Sequence, residues 1–84
     1  MRIHEDVVHR YVKIVEKHPK GDFPEMTGPE HLMWMLDQIH TCVVGGDKAH
    51  RWLGFVQGIL ISRGLASVNE ERDFTRPYFT VSDK

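Results

Sequence analysis

From Ile3 to His18 the apolar residues Ile3, Val7, Val8, Tyr11, Val12, Ile14 and Val15 recur three and four apart. Glu5, Asp6, His9, Arg10, Lys13, Glu16 and Lys17 fill the positions between them. This spacing follows the 3.6-residue turn and predicts an amphipathic helix over about residues 3–18. The β-branched residues lower helical propensity, but a strand would need the strict alternation that Val7-Val8 and Ile14-Val15 break. Asp6 in the first turn and Lys17 in the last suit the macrodipole, and Pro19 stops the helix by withholding a backbone donor. Residues 19–28 hold two prolines and two glycines and read as a loop, with Phe23 and Met26 expected to fold back onto the core.

Pro29 and Glu30 suit a helix start, with Thr27 or Gly28 as cap. Leu32, Met35, Leu36, Ile39, Cys42 and Val43 then fall on one arc, so the second helix is expected over about 29–44 with Cys42 as a small core residue. Trp34 lands on the opposite, polar side with Glu30, Asp37, Gln38 and Thr41. Gly45-Gly46 is read as the stop and Asp47 as the cap of a third helix over about 48–63, making an antiparallel αα-hairpin with the second. In the third helix Ala49, Trp52, Leu53, Val56, Ile59 and Leu60 make the main stripe, with Phe55 on its shoulder. Gly64 is expected as its left-handed terminus, with Arg63 snorkelling toward the last carbonyls. Ser67 and Glu70 form an S-x-x-E capping box for a fourth helix over about 68–76, which Pro77 breaks or bends. Tyr78, Phe79 and Val81 then need cover. The expected fold is all-α, one domain over 1–84, with four helices centred on the hairpin.

Composition narrows the function classes. Eighty-four residues make one small domain with a thin core; 40% are hydrophobic and 27% charged, which suits a folded chain rather than a disordered one. The net charge of −1 gives neither the basic excess of a general nucleic-acid binder nor the acidity of a DNA mimic. A single cysteine excludes an internal disulfide and a cysteine-rich zinc site. The opening Met1-Arg2-Ile3-His4-Glu5-Asp6 has no apolar signal core and the longest aliphatic run is Ile59–Ile61, so a cytoplasmic protein without membrane association is expected.

The third helix also bears Gly54, Gly58 and Ser62, spaced four apart. An interior helical glycine costs about 1 kcal/mol relative to alanine, so two on one side imply close approach of another backbone. That backbone is either the first or fourth helix of the same chain, or the same helix of a second copy in a homodimer. Trp34, with Met33 and Val44 on the flank of the second helix, marks the other surface expected to meet a partner, unless Tyr78 and Phe79 cover it. Met33, Trp34, Gly54, Gly58 and Ser62 are therefore the candidate interface residues.

No catalytic or cofactor signature accompanies these surfaces. His4, His9, His31, His40 and His50 show neither an i, i+4 pair nor an H-E-x-x-H order, and neither metal nor cofactor is expected. The short turn between the second and third helices could suggest a helix-turn-helix. A recognition helix must present polar and basic side chains, however, and this one offers Trp52, Phe55, Val56 and Ile59. Arg51, Arg72 and Arg76, together with Arg63, form the candidate anion or nucleic-acid contact set, while Glu70–Arg76 alternates in sign like a solvated face.

Three segments, Pro29-Glu30-His31-Leu32-Met33-Trp34-Met35, Lys48-Ala49-His50-Arg51-Trp52-Leu53-Gly54-Phe55-Val56-Gln57-Gly58 and Glu71-Arg72-Asp73-Phe74-Thr75-Arg76-Pro77, resemble small accessory proteins encoded by tailed bacteriophages. The resemblance covers about residues 29–79 and implies expression in a bacterial cell, with a role in DNA-related phage biology or in disabling a host protein. It supplies no active-site residues. The expected function is a non-enzymatic protein-interaction module that pairs with itself and with a protein partner, possible host proteins included. The alternatives are a nucleic-acid-associated regulator, or a small-molecule sequestrant or small hydrolase with a pocket between subunits.

Overall fold

The computed structural model describes residues 3–79, and all of its regular elements are helices. α1 runs Glu5–Glu16, α2 Pro29–His40, α3 Gly46–Ser62 and α4 Val68–Phe79. α1 packs most extensively on α2, and both also touch α3. Their apolar stripes meet in one core in which Val7, Tyr11, Leu32, Leu36, Val56 and Leu60 are shut off from water. Each such aliphatic side chain contributes about 1.5–3 kcal/mol by leaving solvent. The Cα extents of 44 × 29 × 17 Å describe a slab, thin enough that the outer side of a helix has no second layer over it.

The helix ends follow local chemistry. His4 caps α1, its Nδ1 accepting the Asp6 amide hydrogen at 3.0 Å, with Glu5 and Asp6 in the first turn. Ser67 forms the first half of the expected capping box, its Oγ accepting from the Glu70 amide at 3.2 Å, while the Glu70 carboxylate meets the Ser67 hydroxyl hydrogen at 3.0 Å in place of the Ser67 amide. α3 ends with Gly64 at φ +75° while the Leu65 amide reaches back to the Leu60 carbonyl at 2.9 Å and the Gly64 amide to Ile61 at 3.0 Å, a Schellman arrangement.

Several boundaries depart from the periodic pattern. α1 is shorter by about a turn than the predicted 3–18, because Lys17 and His18 bond back to Ile14 and Val15 in a tighter terminal turn. α2 stops at His40 rather than Val44. Cys42 takes the left-handed position at φ +64°, its amide bonding to Ile39, and the Val44 amide returns to Gln38. The turn points Cys42 and Val43 outward, so neither joins the core, and Val44 is tucked in instead. Gly45, not Asp47, is the N-cap of α3, and Asp47 stands in its first turn. Met26 stays 61% exposed on a left-handed backbone, while Phe23 alone folds back.

α4 continues through Pro77 instead of ending at Arg76. The turn beyond the proline is held by Tyr78, which lies against Phe74 at 5.6 Å and His4 at 5.0 Å and donates its hydroxyl hydrogen to Asp6 at 3.2 Å. The Phe79 side chain and Val81 lie outside the described residues. α4 is fastened to α1 chiefly by side chains. Glu71, only 4% exposed, receives Arg10 Nε on one carboxylate oxygen and Nη2 on the other, each at 2.9 Å. The Tyr11 hydroxyl donates to the same carboxylate at 2.6 Å and accepts from Gln57 of α3 at 2.9 Å, so three helices share one polar node. Arg10 also stacks on Phe74 at 4.5 Å.

Candidate interaction surface

Two helices build the surface. On α2 the core stripe points inward through Leu32, Met35, Leu36 and Ile39, which leaves Trp34 half exposed on the opposite side. On α3 the stripe Ala49, Leu53, Val56 and Leu60 faces the core, so Trp52 falls on its α2 flank, half-buried. The two indoles meet there at 5.6 Å between centroids and 39° between planes. His31 extends the row on one side, 5.4 Å from Trp34, and Lys48 Nζ stands 5.4 Å from the Trp52 ring on the other. Tilted rings at this spacing are mutually attractive, as is an ammonium over an indole. Trp34 is therefore flanked by Trp52 and His31, while Tyr78 is engaged elsewhere by His4 and Phe74.

Beyond Trp52 the exposed side of α3 carries Phe55, 41% exposed, then Ser62, Gly58 and Gly54 around the arc. A Cβ built on either glycine meets nothing within 4 Å. The expectation that α1 or α4 packs there is thus corrected for the described residues: neither helix comes near the two glycines, and α1 meets α3 on another side, where Gln57 donates to the Tyr11 hydroxyl. Ser62 donates its hydroxyl hydrogen to the Ile59 carbonyl at 2.8 Å within its own helix. Met33 is half-buried against the core and lines a groove beside residues 20–26, which His31 also lines.

The arginine candidates have separate lives. Arg63 neither snorkels to its helix end nor faces an open site: it donates to the Thr27 carbonyl and hydroxyl and lies 4.3 Å over Phe23. Arg76 pairs with Asp73 at 3.3 Å in an exposed i, i+3 bridge. Arg51 is exposed in the first half of α3 and Arg72 is exposed on α4.

The polar node of Arg10, Tyr11 and Glu71 shifts the protonation of all three of its members. Hydrogen bonding to Arg10 holds the Glu71 carboxyl below its ordinary range against the opposing effect of burial, and Tyr11 assists. The Tyr11 phenol is pushed up, first by burial and then by its bond to Glu71, and the Arg10 guanidinium is raised by the same carboxylate. A carboxylate held in its charged form by three hydrogen bonds is a weak proton acceptor at neutral pH. Among the described residues no group of three or more His, Cys, Asp or Glu side chains is placed to hold a metal ion, and no helix is long and apolar enough to cross a membrane. No protein-family model matches the chain, nor does any curated protein or solved structure.

The polar node and the Arg63 contacts were not read from the periodicity. Two signals could have found them. Tyr11 lies in the apolar stripe, and a buried phenol needs a partner for its hydroxyl. His18 continues the same stripe three residues after Val15, which foretells its burial.

Proposed function

We propose that this chain is a non-enzymatic protein-interaction module. It pairs with a second copy through the glycine side of α3 and holds a protein partner on the row Trp34–Trp52–Phe55. The observation that carries the reading is the uncovered α3 side: Gly54 and Gly58 face open space next to an exposed Phe55 and a half-exposed Trp34. Two interior glycines cost helix stability and no neighbour among the described residues uses them, which favours a backbone from outside. A two-fold pairing about Gly58 sets Gly54 against Ser62 of the partner subunit. It also brings Arg51 to the carboxyl end of that helix, whose last turn holds no basic residue. The resemblance to phage accessory proteins adds a bacterial host protein, met in the cytoplasm, as the class of partner for the tryptophan row.

Sedimentation equilibrium of the purified chain and of Gly58→Leu, together with recovery of partners by the wild type and by Trp34→Ala, tests both halves. The expected result is a dimer that Gly58→Leu dissociates, and a bound protein that Trp34→Ala loses with its helical content unchanged. A wild-type monomer at about 100 μM removes the self-pairing, and full retention of the bound protein by Trp34→Ala removes the aromatic row.

A further inference from the structure

Residues 19–28 are latched by a short series of side chains with a fixed direction of hydrogen bonding. His18 is only 6% exposed. Its Nδ1 stands 2.7 Å from the Pro19 carbonyl oxygen, which can only accept, so Nδ1 bears the hydrogen. Its Nε2 stands 2.9 Å from Arg63 Nη1, and a guanidinium can only donate, so Nε2 presents a lone pair. The two neighbours therefore select one neutral tautomer. The same guanidinium donates to both oxygens of Thr27, whose hydroxyl hydrogen goes on to the Pro24 carbonyl at 2.7 Å. Phe23 is clasped between them, edge-on to His18 at 4.8 Å and under Arg63 at 4.3 Å.

We infer that His18 is a proton-operated latch, and that a proton on Nε2 releases residues 19–28 from α3. That proton turns the acceptor into a donor and sets an imidazolium against a guanidinium across a contact made for opposite polarity. The other charged or titratable groups around the groove that His18 lines are Glu16 of α1, Lys20, Asp22 and Glu25 of the loop, and Glu30 and His31 of α2. The carboxylates among them attract an imidazolium that Arg63 repels, which favours a turn of the ring out of its contact with Arg63. Once it turns, Arg63 loses its fixed orientation, Thr27 its donor, and Phe23 one side of its clasp. The groove beside Val15 and Met33 then opens to solvent.

Backbone order parameters of residues 20–27, measured by 15N relaxation between pH 8.0 and 5.5, test the latch alongside the 15N shifts of the His18 ring. At pH 8.0 the ring should show the Nδ1–H tautomer and the loop should match the helices, near 0.85. Toward the acid end the loop should fall below about 0.6, with a midpoint shared by the loop order and the ring shifts. His18→Gln, whose amide oxygen accepts from Arg63 at any pH, should keep the loop ordered throughout, and His31→Gln should leave the response intact. An Nε2–H tautomer at pH 8.0, a loop equally ordered at both pH values, or a response surviving in His18→Gln overturns the inference. If His18→Gln does not fold, coincidence or divergence of the two midpoints in the unaltered chain decides.

Discussion

Replacing Glu71 by glutamine is the sharpest test of how α4 is held. The substitution keeps the shape but removes the charge that Arg10 grips twice at 2.9 Å, and it turns one acceptor into an amide donor facing Arg10 Nη2. Breaking a buried pair by removing one partner costs about 3–5 kcal/mol; Arg10 keeps a third of its side chain in water, which lowers the figure to about 2–3 kcal/mol. A chain of this size is stable by roughly 4–12 kcal/mol, so urea unfolding at pH 7 should register a large fraction of the whole. The melting temperature should fall by roughly 10–20 °C. The pH dependence has a definite sign. Because Arg10 holds the Glu71 carboxyl below its ordinary 4.5, its stabilisation is full above that value and is lost as pH falls through the folded-state value. The gap between wild type and Glu71→Gln should therefore be widest near pH 7 and narrow below about pH 4.5. A loss under about 0.5 kcal/mol, or a gap that stays constant down to pH 3, refutes the reasoning.

Three further outcomes follow from the geometry. Tyr11→Phe removes the 2.6 Å bond to Glu71 and the acceptor for Gln57, and should cost about 1–2 kcal/mol by the same urea measurement; a neutral result would mean that the phenol is not part of the node. Cys42 is exposed, so its thiol should react with a disulfide reagent in the folded state, and Cys42→Gly should stabilise by about 1 kcal/mol by relieving φ +64°; reaction only after unfolding would contradict the α2 terminus described. Gly58→Ala places a methyl in open space on a helix, so in dilute solution it should raise stability by about 0.4–1 kcal/mol, and a loss there would show that an intrachain neighbour has been overlooked.

The core was legible because burial in a helix is periodic. Val7, Tyr11, Leu36, Val56 and Leu60 could be named from spacing alone, as could the Ser67 cap and the Gly64 terminus, whose chemistry is local. The end of α2 was not, because periodicity has no way of saying where a helix stops. Cys42 and Val43 sit at angles that would extend the stripe, and the nearest obvious breaker is Gly45-Gly46. The chain instead turns at Cys42, a residue that accepts a left-handed backbone reluctantly, and Val44 takes the buried place. Pro77 misled in the other direction: a missing donor weakens a helix locally, but Tyr78 beyond it gains a ring contact with His4 and a hydrogen bond to Asp6 at the start of α1, besides lying against Phe74 of its own helix.

The candidate surface was legible in part for the same reason. Trp34 and the glycine spacing could be placed on their faces, whereas their neighbours depended on how α2 and α3 meet. Sequence left Gly54 and Gly58 with two explanations, packing inside the chain or packing between chains. Among the described residues nothing supports the first, because no atom of them comes within 4 Å of the added Cβ positions. A glycine that merely filled a turn would sit at positive φ, as Gly64 does; Gly54 and Gly58 are not among the residues with that backbone. Their absent side chains therefore serve neither backbone freedom nor packing against the other described residues, which is what supports the pairing with a second copy proposed above.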